Sequence, residues 1–106
     1  MFAAAVHAQI PVYPGTNLRG RVDDAMNQPL PGARVDLFFF NANMNAWMPY
    51  STAYTSNMQG MWGMYFFNGV PPGRYGLQVN GTTNYLIDVV PIDYRFAQFQ
   101  DLLPIK

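Results

Sequence analysis

The chain has 106 residues, which is the size of one domain, and its six basic and six acidic side chains leave no net charge. Half of the residues are apolar and 16% are aromatic, but only 11% are charged, against roughly 25% in an average soluble domain. This composition excludes a disordered chain, and the absence of cysteine excludes disulfides and thiolate metal sites. The chain lacks the basic stripe that nucleic-acid binding requires. So few charges also indicate a surface that something covers.

The N-terminal segment alternates between apolar and other residues with a period of two, which predicts a β-strand. Pro14-Gly15 follows it and predicts a hinge over residues 14–17. The chain therefore divides into an arm, residues 1–13, the hinge, and a folded domain, residues 18–106. The apolar face of the arm consists of Phe2, Ala4, Val6, Ala8, Ile10 and Val12.

The arm has several interpretations. It can add as a strand to the next copy of the protein, or to its own domain; residues 2–9 can instead form an alanine-rich helix. Val6-His7-Ala8 resembles a signal-peptide cleavage site, so residues 1–8 can also be a signal-peptide remnant. Ordering costs about 1–2 kcal/mol per residue, so contact on one face does not hold a strand of this length. Strand addition to a sheet edge supplies both a groove and main-chain hydrogen bonds.

The domain is punctuated by turn signals that leave room for short strands and for no long helix, which favours an all-β sandwich or barrel. Residues 18–22, 33–39, 64–67 and 74–79 alternate with period two. Residues 84–92 are apolar on both faces, which predicts a central strand, and residues 94–103 are a candidate last strand. Asn80-Gly81 predicts a tight hairpin turn. The predicted inward positions are Leu18, Val22, Ala33, Val35, Leu37, Phe39, Tyr65, Phe67, Tyr75, Leu77 and Val79.

Two blocks of sequence resemble the carboxypeptidase regulatory-like domain family. Residues 18–32, which end in Pro29-Leu30-Pro31-Gly32, are followed by Ala33-Arg-Val-Asp-Leu37, and together they look like the opening hairpin of that family. Residues 63–79, with Tyr65, Val70-Pro-Pro-Gly73 and Tyr75, are similar to its second pattern. The resemblance implies a single seven-stranded Greek-key β-sandwich, similar to transthyretin, without catalytic activity. Domains of this kind are structural or accessory modules of secreted and surface proteins.

Aromatic side chains supply further candidate binding residues. Phe38, Phe40 and Phe66 fall on the face opposite the predicted core, where an exposed patch favours aggregation, so we expect them to be covered. The asparagine-rich stretch 41–50 is predicted as a loop. In and beyond it lie the aromatic residues Trp47, Tyr50, Tyr54 and Trp62, which suit either stacking on sugars or a subunit interface.

The sequence contains little that supports catalysis. His7 is its only histidine, so neither a metal centre nor a nucleophile–histidine pair is predicted, and no cofactor is expected. Asn80-Gly81-Thr82 matches the N-glycosylation pattern, although a tight turn alone explains it.

These observations predict a non-enzymatic, secreted or cell-surface structural subunit. It would form a homopolymer, an extracellular filament, by head-to-tail insertion of its N-terminal strand into the next copy. No membrane span and no nucleic-acid partner are expected, and covalent or bound glycans are an open alternative. The alternative is a carbohydrate-binding or accessory module that uses the exposed aromatics.

Overall fold

Seven β-strands make up the fold in the computed structural model, which describes residues 13–105. They are β1 (Thr16–Arg21), β2 (Arg34–Asn41), β3 (Ala46–Tyr54), β4 (Met64–Val70), β5 (Gly73–Val79), β6 (Thr82–Val89) and β7 (Gln100–Asp101). Between residues 13 and 105 there is no helix. The all-β prediction is confirmed.

The strands form two sheets. The four-stranded sheet has the order β3-β2-β5-β6, and every neighbouring pair in it is antiparallel. The three-stranded sheet has the order β4-β1-β7, with β1 antiparallel to β4 and parallel to β7. After β7 the chain continues along β1, since Ile105 donates to the carbonyl of Arg21 and the amide of Asp23 donates back to Ile105.

One hydrophobic core is built from both sheets. The residues predicted from the alternation to face inward are buried: Leu18, Val22, Ala33, Val35, Leu37, Tyr65, Phe67, Tyr75 and Leu77. Phe39 and Val79 pack against this core while half-buried. Burying each large side chain contributes roughly 1.5–3 kcal/mol, so the period-two pattern determines which face of each strand points inward.

Two polar residues fix the loops at the ends of the strands. Asn80 and Gly81 have φ values of 51° and 76°, as the predicted two-residue hairpin between β5 and β6 requires. The buried Thr55 hydroxyl donates to the carbonyl of Leu30 at 2.6 Å and accepts from the amide of Ala33 at 2.8 Å. Thr55 thereby ties the end of β3 to the start of β2.

Three sequence-based predictions about strands need correction. The predicted loop 41–50 is a four-residue turn followed by β3, which does not alternate because it is an edge strand with mostly exposed side chains. The segment predicted as a central strand is β6, also an edge strand. Within 94–103 only Gln100 and Asp101 form a strand.

Candidate functional site

The predicted arm face, residues 2–12, lies outside the described residues, and donor-strand pairing by the arm remains a prediction. The chain is anchored directly after it. The Tyr13 hydroxyl lies 2.8 Å from that of Thr16 and accepts from the amide of Ile92 at 2.9 Å. Of the predicted hinge residues, Pro14 is exposed, whereas Gly15 has a φ of 93° and packs so closely on Gly69 that any side chain would overlap it.

The three off-core phenylalanines do not form one patch. Phe38 and Phe40 lie on the outer face of the four-stranded sheet, and the Phe40 ring meets Trp47 edge to face at 5.4 Å. Phe66 belongs to the other sheet, where Phe99 covers it at a centroid distance of 5.8 Å. The covering that we expected for these phenylalanines is therefore supplied in part by Trp47 and Phe99 of the same chain.

The four aromatics predicted to stack on sugars do not form one platform either. Trp47 and Tyr54 stand near opposite ends of β3, about 20 Å apart at the usual rise per residue. Tyr50 occupies the bulge of β3 and turns to the core margin, where it meets Phe39 and Tyr75 edge to face. Burial, and to a smaller extent the neighbouring Tyr50, raise the pKa of the Tyr75 phenol. Trp62 is exposed in the loop between β3 and β4.

Trp47 does form a pocket with residues that the sequence did not single out. Across the outer face of the four-stranded sheet, a hollow of about 190 Å³ is lined by Phe38, Trp47, Gly76, Gln78, Asn84 and Leu86. Its polar wall is an amide pair, in which the Gln78 side chain donates to that of Asn84 at 2.6 Å. Gly76 lies beneath the indole, and a Cβ there would make ordinary contact with the ring at 3.6 Å. An aromatic face beside two amides suits a small polar ligand with an apolar side.

A larger cavity opens between the two sheets, and we call it the seam. It measures about 430 Å³ and lies between β6 and residues 100–105, with Tyr65 and Leu77 also lining it. From β6, Tyr85 and Ile87 pack against the core while half-buried, and Leu102 does so from the opposite side. Sequence reasoning missed the seam because it depends on two strands being edges, which no local pattern reveals.

Tyr65 reaches toward the seam across β1. Its ring passes over Gly20, which has no side chain to obstruct it. The side chain is completely buried, and its hydroxyl has no hydrogen-bond partner among the described residues. Burial raises the pKa of this phenol well above its usual value, so it stays protonated and can donate.

One end of the seam is closed by Gln100. Its side-chain amide accepts from the main-chain N–H of Val90 at 2.9 Å and donates to the carbonyl of Asp88 at 2.8 Å. Gln100 thus makes the two hydrogen bonds that a neighbouring strand would make. Beyond it, the edge of β6 toward Thr82 has no neighbouring strand in the described part of the chain.

Two aspartates, Asp88 and Asp101, line the seam, and each is paired with an arginine. All five arginines of the chain pair with an aspartate: Arg19 with Asp101, Arg21 with Asp23, Arg34 with Asp36, Arg74 with Asp88 and Arg95 with Asp93. Hydrogen bonding from Arg19 lowers the pKa of Asp101, and that from Arg95 lowers the pKa of Asp93. No group of three or more potential metal ligands occurs in residues 13–105.

Asn80 is exposed at the hairpin tip, and its side-chain oxygen accepts from the amide of Arg34 at 2.9 Å. The turn therefore accounts for this asparagine, and glycosylation there remains a prediction.

No family model, no curated protein and no solved structure matches this chain. No helix in its described part is long and apolar enough to cross a bilayer.

Proposed function

We propose that the protein is a non-enzymatic structural subunit, secreted or at the cell surface, that polymerises into an extracellular filament. Residues 2–12 of one copy would insert as a β-strand into the next copy, head to tail. The observation that carries this proposal is the period-two pattern of six apolar residues ahead of the folded domain. Such a pattern needs a partner that takes alternate side chains and pairs the main chain.

The anchoring of Tyr13, Thr16 and Gly15 supports this proposal. These residues give the arm a fixed point of departure, so that the eleven residues before Tyr13 can span about 35 Å when extended. Head-to-tail contacts of this type do not close on themselves and generate open filaments.

We also propose that the two sheets form a seven-stranded Greek-key sandwich of the carboxypeptidase regulatory-like type. The number of strands and the single core shared by both sheets support it. The chain also passes between the sheets repeatedly, since β1, β4 and β7 belong to one and β2, β3, β5 and β6 to the other.

Deletion of residues 2–12, followed by electron microscopy, tests the polymerisation. Tyr13 is retained because its hydroxyl bonds to the domain. We expect filaments from the full chain and none from the deletion variant. Filaments that persist without the arm would contradict the proposal.

A matched pair of substitutions tests the strand pattern itself. Ala4 belongs to the apolar face and Ala5 to the other, so Ala4→Asp should abolish filaments and Ala5→Asp should leave them. Equal effects at both positions would argue against a strand, because successive side chains of a strand point to opposite faces and should respond differently.

The pocket beside Trp47 favours a second candidate function, binding of a carbohydrate. A sugar ring would stack on the indole and bond to the amides of Gln78 and Asn84. On a glycan array we expect saturable binding that Trp47→Ala abolishes. Trp62→Ala is the control, since Trp62 is equally exposed but lies outside the pocket. Equal binding by both variants would refute this function.

A further inference from the structure

The free edge of β6 presents main-chain hydrogen-bonding groups to a strand that the described residues do not supply. Asp88 and Val90 direct such groups away from β5, because Gln100 binds them from the other side. Main-chain groups alternate between the two edges of a strand, so Asn84 and Leu86 point to the same free edge. Their side chains lie on the outer face, and those of Tyr85 and Ile87 point into the core.

The seam lies directly beneath this edge, and most of the residues that line it are apolar. A strand added beside β6 would place alternate side chains over Ile87 and Leu102, in a cavity of about 430 Å³. That space is sufficient for several apolar side chains. Tyr65 and Leu77 form the inner wall of this cavity.

The opposite margin of the molecule is less suited to strand addition. There β3 of one sheet and β4 of the other lie against each other. β3 also contains Pro49, which lacks a main-chain donor, and a bulge next to it at the Leu37–Phe38 register shift. Proline and bulges are the devices by which edge strands avoid pairing.

We infer that the seam is the acceptor groove for residues 2–12 of a second copy, which add to the four-stranded sheet as a fifth strand along β6. This inference rests on the proposed polymerisation and identifies its acceptor. The arm's apolar residues would fill the groove, and its other residues would share the outer face with Leu86. Gln100 occupies the main-chain groups of Asp88 and Val90, so the free edge runs from Thr82 to Ile87, and the eleven residues of the arm are long enough to cover it.

Disulfide mapping in the full-length protein tests this assignment, because the chain contains no cysteine of its own. Leu86→Cys protein is mixed with protein that carries one cysteine at an outer arm position: Ala3, Ala5, His7 or Gln9. Filaments are assembled, imaged and oxidised, and unlike chains are distinguished by mass. The matched controls are Ala4→Cys and Ala8→Cys in the arm, which should face the groove, and Thr52→Cys on β3.

We expect at least one outer arm position to cross-link to Leu86→Cys at least tenfold more than either groove-facing position does. If filaments form and require the arm, but the disulfides join it to Thr52→Cys, the groove assignment is overturned and polymerisation stands. If no filaments form, the proposed function fails. A double variant such as Ala5→Cys/Leu86→Cys that oxidises only within single chains would overturn insertion into a second copy.

A second variant addresses the main chain. Leu86→Pro removes an N–H that faces the free edge and leaves the pairing with β5 intact, as proline does on edge strands. We expect it to lose filaments, and Leu86→Thr, which changes the same side chain but keeps the N–H, to form more filaments than Leu86→Pro. Circular dichroism confirms that both variants fold. Normal filaments from folded Leu86→Pro protein would overturn the assignment.

Discussion

Gly20 and Gly76 are both glycines inside strands, and they should respond in opposite ways to the same substitution. A Cβ on Gly20 would lie 2.7 Å from Cε2 of the Tyr65 ring and nearer still to Cζ and the hydroxyl. A Cβ on Gly76 would lie 3.6 Å from the Trp47 indole, which is ordinary contact. Neither glycine has a positive φ, so the backbone accepts alanine at both positions.

The magnitude follows from how far Tyr65 can move. Its ring is completely buried and packs edge to face on Phe67 at 5.9 Å, so it cannot rotate away without disturbing the core. Overpacking of this kind costs about 1–3 kcal/mol, and we place Gly20→Ala near the upper limit. The loss of freedom in the unfolded chain offsets about 0.4–1 kcal/mol, which leaves a net loss of about 2 kcal/mol.

Urea denaturation of the two variants measures this difference. Gly76→Ala should stabilise the protein by about 0.4–1 kcal/mol, since it receives the unfolded-state gain without the clash. In thermal melts, Gly20→Ala should lower Tm by roughly 8–16 °C, given about 4–8 °C per kcal/mol for a domain of this size. Adding Tyr65→Leu to Gly20→Ala should restore part of the loss, because the shorter side chain removes the overlapping atoms.

Two results would refute this reasoning. One is a Gly20→Ala protein as stable as Gly76→Ala, which would mean that Tyr65 does not occupy the space above β1. The other is strict additivity of Gly20→Ala and Tyr65→Leu, because residues in contact should show an interaction energy of about 0.5–3 kcal/mol.

Three further variants test individual contacts. Tyr65→Phe should raise the unfolding free energy of unassembled protein by about 1–3 kcal/mol, because it removes a buried hydroxyl without a partner; an unchanged urea midpoint would contradict this. Thr55→Val should lose roughly 1–3 kcal/mol for each of the two main-chain groups left unpaired, whereas Thr55→Ser should stay near wild type; equal losses in both variants would argue against the hydroxyl as the cause. Asp101→Asn should melt below wild type at pH 7, because Arg19 lowers the pKa of the Asp101 carboxyl and favours its charged form. That stabilisation is present at a pH above the pKa of Asp101 in the unfolded chain, and it is lost as the pH falls through the lower pKa of the folded protein. The difference in Tm between Asp101→Asn and wild type should therefore vanish well below about pH 4. A difference in Tm that stays constant with pH would exclude the ion pair as its source.

The core could be predicted from the sequence because one face of β1, β2, β4 and β5 is buried against the other sheet. Alternation therefore identified Leu18, Leu37, Tyr65 and Leu77 correctly. The hairpin at Asn80-Gly81 was also predictable, since only a few residue types adopt its positive φ values.

The edge strands could not be predicted, because their patterns follow from neighbours that are distant in sequence. β3 carries exposed side chains on both faces, so it resembles a loop. β6 is apolar at Ile87 toward the core and at Leu86 toward the outside, so it resembles a strand buried between neighbours. The same reasoning explains why the seam and the Trp47 pocket were missed: each combines residues of β6 with residues from elsewhere in the chain.

The pairing of every arginine with an aspartate of the same chain has a kinetic consequence. Opposite charges lie side by side, three of the pairs only two residues apart in sequence, so their fields cancel within a few ångströms of the surface. A molecule with such short dipoles and no net charge does not steer an approaching partner over a Debye length, about 8 Å at physiological ionic strength. Encounters then proceed at the unsteered rate, of the order of 10⁵–10⁶ M⁻¹s⁻¹, and are nearly independent of added salt. Concentration rather than ionic strength would control how fast this protein associates with its partners.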